Sequence, residues 1–170
     1  WRDDSAVETV AVVGAGDRGL CAGGDVVTLY DDTTRGDGLG AAAFWRDEYA
    51  MNAAIASYPK PFVAVQDGIV LGGGIGVSAH GSHRVVTERS KLGFPEVTIG
   101  YIPDVGATWL LSRAPGEIGT RLALSAETVG AADAILVGFA DSFVAGERIP
   151  DLLAALEREE AGEVIALLSS

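Results

Sequence analysis

Residues 62–79, Phe62-Val63-Ala64-Val65-Gln66-Asp67-Gly68-Ile69-Val70-Leu71-Gly72-Gly73-Gly74-Ile75-Gly76-Val77-Ser78-Ala79, decide how the rest of the chain is read. Phe62–Val65 reads as a buried strand, and Ile75–Ala79 continues a small-residue helix entered through three glycines. Glycine loses more freedom on folding than any other residue, so three in succession at a helix entrance imply close approach of something to the backbone. Two readings follow. Either the glycines let the helix pack tightly on a sheet, or they bare backbone N–H groups to negative charge on a ligand oxygen.

A second cluster, Leu20-Cys21-Ala22-Gly23-Gly24-Asp25, follows the strand-like Val10-Ala11-Val12-Val13 through the turn Gly14–Gly19. Two strand-to-glycine transitions can each offer an N–H to one carbonyl oxygen. Each such donor is worth about 3 kcal/mol in an acyl-transfer transition state. The turn itself spells G-x-G-x-x-G after a strand, the dinucleotide fingerprint. Its surroundings argue against that use. Gly23-Gly24 interrupts the helix the motif needs, and polar, turn-like Thr33–Gly38 stands where a second strand ending in an acid belongs. Binding of NAD at Gly14–Gly19 therefore ranks below an oxyanion site.

Outward from these clusters the elements alternate. Thr9–Val13 is a predicted strand, Asp31–Gly40 a loop, and Ala41–Ser57 an amphipathic helix carrying Phe44, Tyr49, Met51, Asn52 and Ile55. Arg84–Thr87 returns as a strand that Lys91–Phe94 extends. Val105–Leu111, Ile118–Leu124 and Val129–Leu136 read as helices, Asp141–Val144 as a last strand, and Pro150–Leu156 and Glu163–Leu168 as terminal helices. Such alternation predicts an α/β domain. Residues 1–145 form its core, and residues 146–170 are helices that continue the domain or lead into a further segment.

With 170 residues, 48% of them hydrophobic, and a mean hydropathy of +0.28, the chain is expected to pack one core. A net charge of −12 disfavours nucleic acid and anionic membrane surfaces as partners. One cysteine permits no internal disulfide, and two histidines leave little for a metal site, so no metal is expected. The longest apolar region is broken by Gln66, Asp67 and glycines, and no basic segment leads into an apolar one. No membrane span or signal peptide is predicted, and a soluble, cytoplasmic protein is the expectation. The chain begins at Trp1 without methionine and almost at once enters a strand, so it is read as part of a longer polypeptide.

Two acids stand out downstream, Glu96 in Phe94-Pro95-Glu96 and Asp104 in Gly100-Tyr101-Ile102-Pro103-Asp104-Val105-Gly106. They lie eight residues apart across a Gly-Tyr-Ile-Pro turn, which can return one near the other. In a poorly solvated pocket their mutual repulsion would raise one pKa, giving an acid and a base near neutral pH. Each also has a purely structural reading: Glu96 in the first turn of a helix, Asp104 as the cap of the Val105 helix, and Glu48 as an exposed helix acid. His80 and His83 suit a helix C-terminus, Cys21 a small buried hydrophobe, Asp25 a helix cap, and Trp45, Trp109 and Phe94 the core or an interface.

Taken together, Cys21–Asp25, Gly72–Gly74, Phe94–Glu96 and Gly100–Gly106 resemble the crotonase (enoyl-CoA hydratase/isomerase) superfamily across roughly Val7 to Phe143. The resemblance implies a crotonase-like superhelix of ββα units, here a partial chain, and an acyl-CoA substrate. It also implies an oxyanion hole from the N–H groups of Gly24 and Gly73, and no cofactor beyond the coenzyme A of the substrate. Hydratases of the family carry a glutamate two residues past the last glycine, where this chain has Gly76. Their second glutamate matches Glu96, and Asp104 replaces their usual glycine.

Glu96 with Asp104, and Phe44–Tyr49 ahead of Lys60-Pro61, are similar to the 3-hydroxyisobutyryl-CoA hydrolase branch, thioesterases of valine catabolism. By that resemblance Glu96 attacks the carbonyl or activates water, Asp104 assists, and Glu48 binds the acyl hydroxyl. A hydratase or isomerase and a non-catalytic acyl-CoA binding module are the alternatives, and a homo-oligomer is left open.

Overall fold

The computed structural model describes residues 1–169. Three pairs of strands open the chain: β1 (Val10–Val12) with β2 (Gly19–Cys21), β3 (Phe62–Gln66) with β4 (Ile69–Leu71), and β5 (His83–Val86) with β6 (Lys91–Gly93). The first strand of each pair joins one parallel sheet, completed by β8 (Ser142–Phe143) in the order β1-β3-β5-β8. The second joins another, completed by antiparallel β7 (Thr128–Val129) in the order β2-β4-β6-β7. Each turn of the chain thus lays one strand on each sheet, the ββα superhelix that the crotonase resemblance implied.

Helices leave after each pair. α1 (Val26–Arg35) and α2 (Leu39–Ala56) follow β2, α3 (Gly73–Ser78) follows β4, and a 3-10 turn (Glu96–Ile99), α4 (Ala107–Leu111) and α5 (Ile118–Ser125) follow β6. α6 (Ala131–Leu136) links β7 to β8, and α7 (Ile149–Ala155) and α8 (Ala161–Leu168) end the described chain. β3 is buried at all five positions because it lies between β1 and β5 with both faces covered, the setting in which parallel strands read as unbroken apolar runs. Val63, Val65 and Val85 pack under Leu152, Val164 and Ile165 of α7 and α8. Between the sheets and α3–α6, Phe94 meets Phe139 edge to face at 5.7 Å.

Three sequence expectations need correction. Asp31–Gly40 is not a loop: α1 runs to Arg35 and α2 starts at Leu39. Asp25 caps α1, its carboxylate accepting from the N–H groups of Val27 and Thr28 at 3.1 Å each. Thr33 and Thr34 turn their hydroxyls onto the carbonyls of Leu29 and Tyr30, so these residues are satisfied within the helix. Asp32 accepts from Ala41 N–H at 2.8 Å and ties α1 to α2.

Lys91–Gly93 does not extend β5 but crosses to the second sheet, beside β4. Thr128–Val129 is strand, paired with β6, and the helix read from Val129 starts at Ala131. The short strands β2 and β4, which the sequence reading did not separate from the glycine clusters, complete the second sheet.

Candidate active site

Helix α2 turns one stripe inward, Ala41, Trp45, Glu48, Asn52 and Ile55, at alternating spacings of four and three. Such a stripe is one face of a 3.6-residue helix, but here it carries an acid and an amide where an ordinary core face is apolar. Across from it, the chain leaves β6 through Phe94, which is fully buried, into the 3-10 turn at Glu96. Gly100, at φ +74°, reverses the chain, and Tyr101 N–H bonds back to the Glu96 carbonyl at 3.0 Å. That reversal brings Asp104 back toward Glu96.

All five residues nominated from the sequence, Gly24, Glu48, Gly73, Glu96 and Asp104, line one cavity of about 240 Å³. A larger cavity of about 560 Å³ is lined by Tyr49, Asn52, His80, Arg84 and Trp109 among others, without a carboxylate. Chemistry rather than size selects the smaller one.

Gly73 is a glycine because the space is taken. A Cβ there would stand 2.7 Å from Glu48 Oε1 and 3.4 Å from Gly23 Cα, so the two glycine turns and the α2 acid converge. A Cβ on Gly72 would stand 2.7 Å from Glu96 Oε1, which puts the second acid beside the same turn. Among the described residues, the N–H groups of Gly24 and Gly73 find no hydrogen-bond acceptor. For Gly73 the reason is geometric: the first residue of a helix has no carbonyl one turn back.

The electrostatics are those of crowded acids out of water. Glu96 is only 8% exposed, and among the described residues its Oε2 has no partner. Desolvation, reinforced by the negative charges of Asp104 and Glu48, pushes its carboxyl up to about 7. Glu48 is raised as well, first by burial and then by Asp104. Asp104 does not cap α4, whose cap position is Gly106. Its Oδ2 instead accepts from the Tyr49 hydroxyl at 2.6 Å. Tyr49 is pushed above the ordinary phenol range by burial and by that bond, so it keeps its proton and donates. Tyr101, stacked on Trp45 at 5.9 Å, places its own hydroxyl 3.4 Å from that of Tyr49.

The position where hydratases of the resembled family carry a glutamate is closed. A Cβ on Gly76 would meet Val105 Cβ at 2.8 Å and the Asn52 amide at 2.9 and 3.1 Å. The Gly14–Gly19 turn leads into β2 rather than a helix, so it lacks the context of a dinucleotide site. His80 is structural as read, its Nε2 donating to the Val105 carbonyl at 2.7 Å. Cys21 is half-buried, and its sulfur accepts from Gly23 N–H. Among the described residues no group of three or more His, Cys, Asp or Glu side chains could hold a metal ion. Among the described residues, too, no helix is long and apolar enough to cross a membrane.

Sequence reasoning missed Tyr49 and Tyr101. Tyr49 entered the amphipathic pattern of α2 as an apolar residue. Its partner is 55 residues away, a distance no local pattern reports.

The family model described as Enoyl-CoA hydratase/isomerase matches residues 1–170. Among curated relatives, the mitochondrial 3-hydroxyisobutyryl-CoA hydrolase of Xenopus tropicalis is 43% identical over 89% of this chain and 39% of its own length. That of Rattus norvegicus is 41% identical over 100% of this chain and 45% of its own. The chain spans less than half the length of these relatives. Among solved structures, a carnitinyl-CoA dehydratase from Mycobacterium thermoresistibile superposes with a TM-score of 0.96 at 49% identity, covering all of this chain and 50% of that one. An enoyl-CoA hydratase from Rhodobacter sphaeroides 2.4.1 does so at 0.93 and 46%, covering all of this chain and 49% of the other.

Proposed function

The chain belongs to the enoyl-CoA hydratase/isomerase family, and from that premise we propose that it carries the catalytic groups of an acyl-CoA thioester hydrolase acting on 3-hydroxyisobutyryl-CoA in valine catabolism. The observation that carries the reading is that one cavity is lined by Gly24 and Gly73, whose N–H groups are unpartnered among the described residues, and by Glu96, which has a buried carboxyl oxygen unpartnered among them as well. The hydrolase names of relatives matching 89–100% of the chain support it.

In this mechanism the thioester oxygen sits between the two amides, which meet the negative charge that develops as the carbonyl carbon is attacked. Glu96 acts as the base that takes a proton from water, or as the nucleophile that forms a mixed anhydride water then opens. A carboxyl held near neutrality suits the first role, since a base works best when its pKa lies near the working pH. Collapse of the tetrahedral intermediate breaks the carbon–sulfur bond. On the base route the thiolate leaves with the proton that Glu96 took from water. On the anhydride route it leaves as the anhydride forms and is protonated when water opens that anhydride, and on either route Asp104 assists from beside Glu96. Glu48, adjoining Gly73, receives the acyl hydroxyl.

A second reading is kept because the two solved structures described above are named dehydratase and hydratase. Glu48 and Glu96, which flank Gly73 and Gly72, would then be the two carboxylates that add water across a double bond. One assay of the full-length protein separates the two. Free coenzyme A thiol released from 3-hydroxyisobutyryl-CoA is expected. Efficient hydration of crotonyl-CoA with no thiol release would replace the hydrolase reading by the other.

A further inference from the structure

We infer that Tyr49 is a positioning residue for the proposed reaction, its hydroxyl setting the direction in which the Asp104 carboxylate faces the cavity. The inference rests on the thioesterase role given to Asp104 above.

Most of the freedom of Asp104 is removed by its backbone. Val105, a β-branched residue, is held at φ +45° and only 2% exposed, a conformation that persists only where the surroundings dictate it. The dictating groups are visible. The Val105 side chain is in the core above Gly76, its carbonyl accepts from His80, and the Asp104 carbonyl accepts from Ala107 N–H at 2.7 Å.

What the backbone leaves open is the rotation of the carboxylate itself. Among the described residues, the only hydrogen bond reaching that carboxylate comes from Tyr49, 2.6 Å from Oδ2. A phenol that keeps its proton can only hold this oxygen as a donor, which leaves Oδ1 for the cavity. Tyr49 is in turn steadied by the Tyr101 hydroxyl, whose ring is stacked on Trp45 one turn before it on α2. Helix α2 therefore supplies Glu48 to the cavity and, with the next residue, aims the acid opposite.

The test is a double-mutant cycle in the full-length protein, with Tyr49→Phe, Asp104→Asn and the pair, read as kcat and KM for thiol release. A hydrogen bond to a charged group predicts a loss of roughly tenfold or more in kcat for Tyr49→Phe, with KM little changed. The pair is expected to be no slower than Asp104→Asn alone. If Tyr49→Phe costs the same factor in both backgrounds, Tyr49 is a packing residue and the inference is overturned. Full activity of Tyr49→Phe beside an impaired Asp104→Asn overturns the inference but leaves the hydrolase reading intact. Full activity of Asp104→Asn overturns the role of Asp104 itself and the inference with it. A crystal structure of Tyr49→Phe supplies an independent readout: Asp104 is expected in a different rotamer, and an unchanged carboxylate contradicts the inference.

Discussion

Two clusters of buried polar groups sit in this molecule, and they are finished differently. Behind β3, Gln66 donates to Ser78 Oγ and to the Phe139 carbonyl, and Ser78 donates to the Gly74 carbonyl. Ser90 donates to the Gln66 carbonyl and accepts from Thr87 N–H. Among the described residues only Gln66 Oε1 is left over there. At the candidate cavity, Glu96 Oε2 has no partner among the described residues, three acids crowd together, and the valine that follows Asp104 is held in a left-handed conformation.

An unsatisfied buried polar group costs about 1–3 kcal/mol, so a fold that satisfies one cluster and leaves the other open has not done so for stability. Open groups are available to a substrate; closed ones hold sheet to helix. We assign the first cluster to the scaffold and the second to the candidate site.

The largest expected effect that could break this distinction is on turnover. Glu96→Gln keeps the size of the side chain and removes its charge, and the rate of thiol release by the full-length protein is expected to fall by roughly a thousandfold. A fall of less than about tenfold would move Glu96 out of the chemistry.

The same substitution should stabilise the protein, which no scaffold residue would do. The Glu96 carboxyl titrates near 7 when folded against 4.5 ordinarily, so between those values the native state holds a proton the unfolded state has lost. Glu96 therefore subtracts stability as pH rises through that window, by about 3 kcal/mol above pH 7. Urea unfolding is expected to show Glu96→Gln more stable than the parent at pH 8 and no different at pH 4.

The scaffold cluster predicts the reverse pattern. Gln66→Leu removes two donated bonds and should cost about 2 kcal/mol in a denaturant titration while leaving kcat unchanged. A loss of turnover with intact stability would blur the two regions. The smallest effect is electrostatic: Glu48→Gln removes one of the charges that raise Glu96. The acid limb of kcat/KM, expected near pH 7, should then move to lower pH.

The same two regions explain what the sequence could disclose. β3 was legible because a strand covered on both faces is written as a continuous apolar run, whereas β2, β4 and β7 hold two or three residues each and are strands only through their neighbours. α1 was hidden by its aspartates and threonines, whose hydroxyl and cap bonds reconcile them with a helix only once the chain is folded. The two glycine clusters, Glu96 and Asp104 stood out by residue type and spacing, whereas Gly24, Gly73 and Glu48 were picked out individually by the resemblance to the crotonase superfamily. Tyr49 was not, since a tyrosine on an amphipathic helix reads as apolar surface until its hydroxyl is seen against Asp104.

The most direct measurement is a crystal structure of the full-length Glu96→Gln variant soaked with 3-hydroxyisobutyryl-CoA. The thioester oxygen is expected within about 3 Å of both the Gly24 and the Gly73 nitrogens, with the side chain at position 96 facing the carbonyl carbon. A thioester bound with its oxygen away from either amide, or with residue 96 turned from that carbon, would contradict the account.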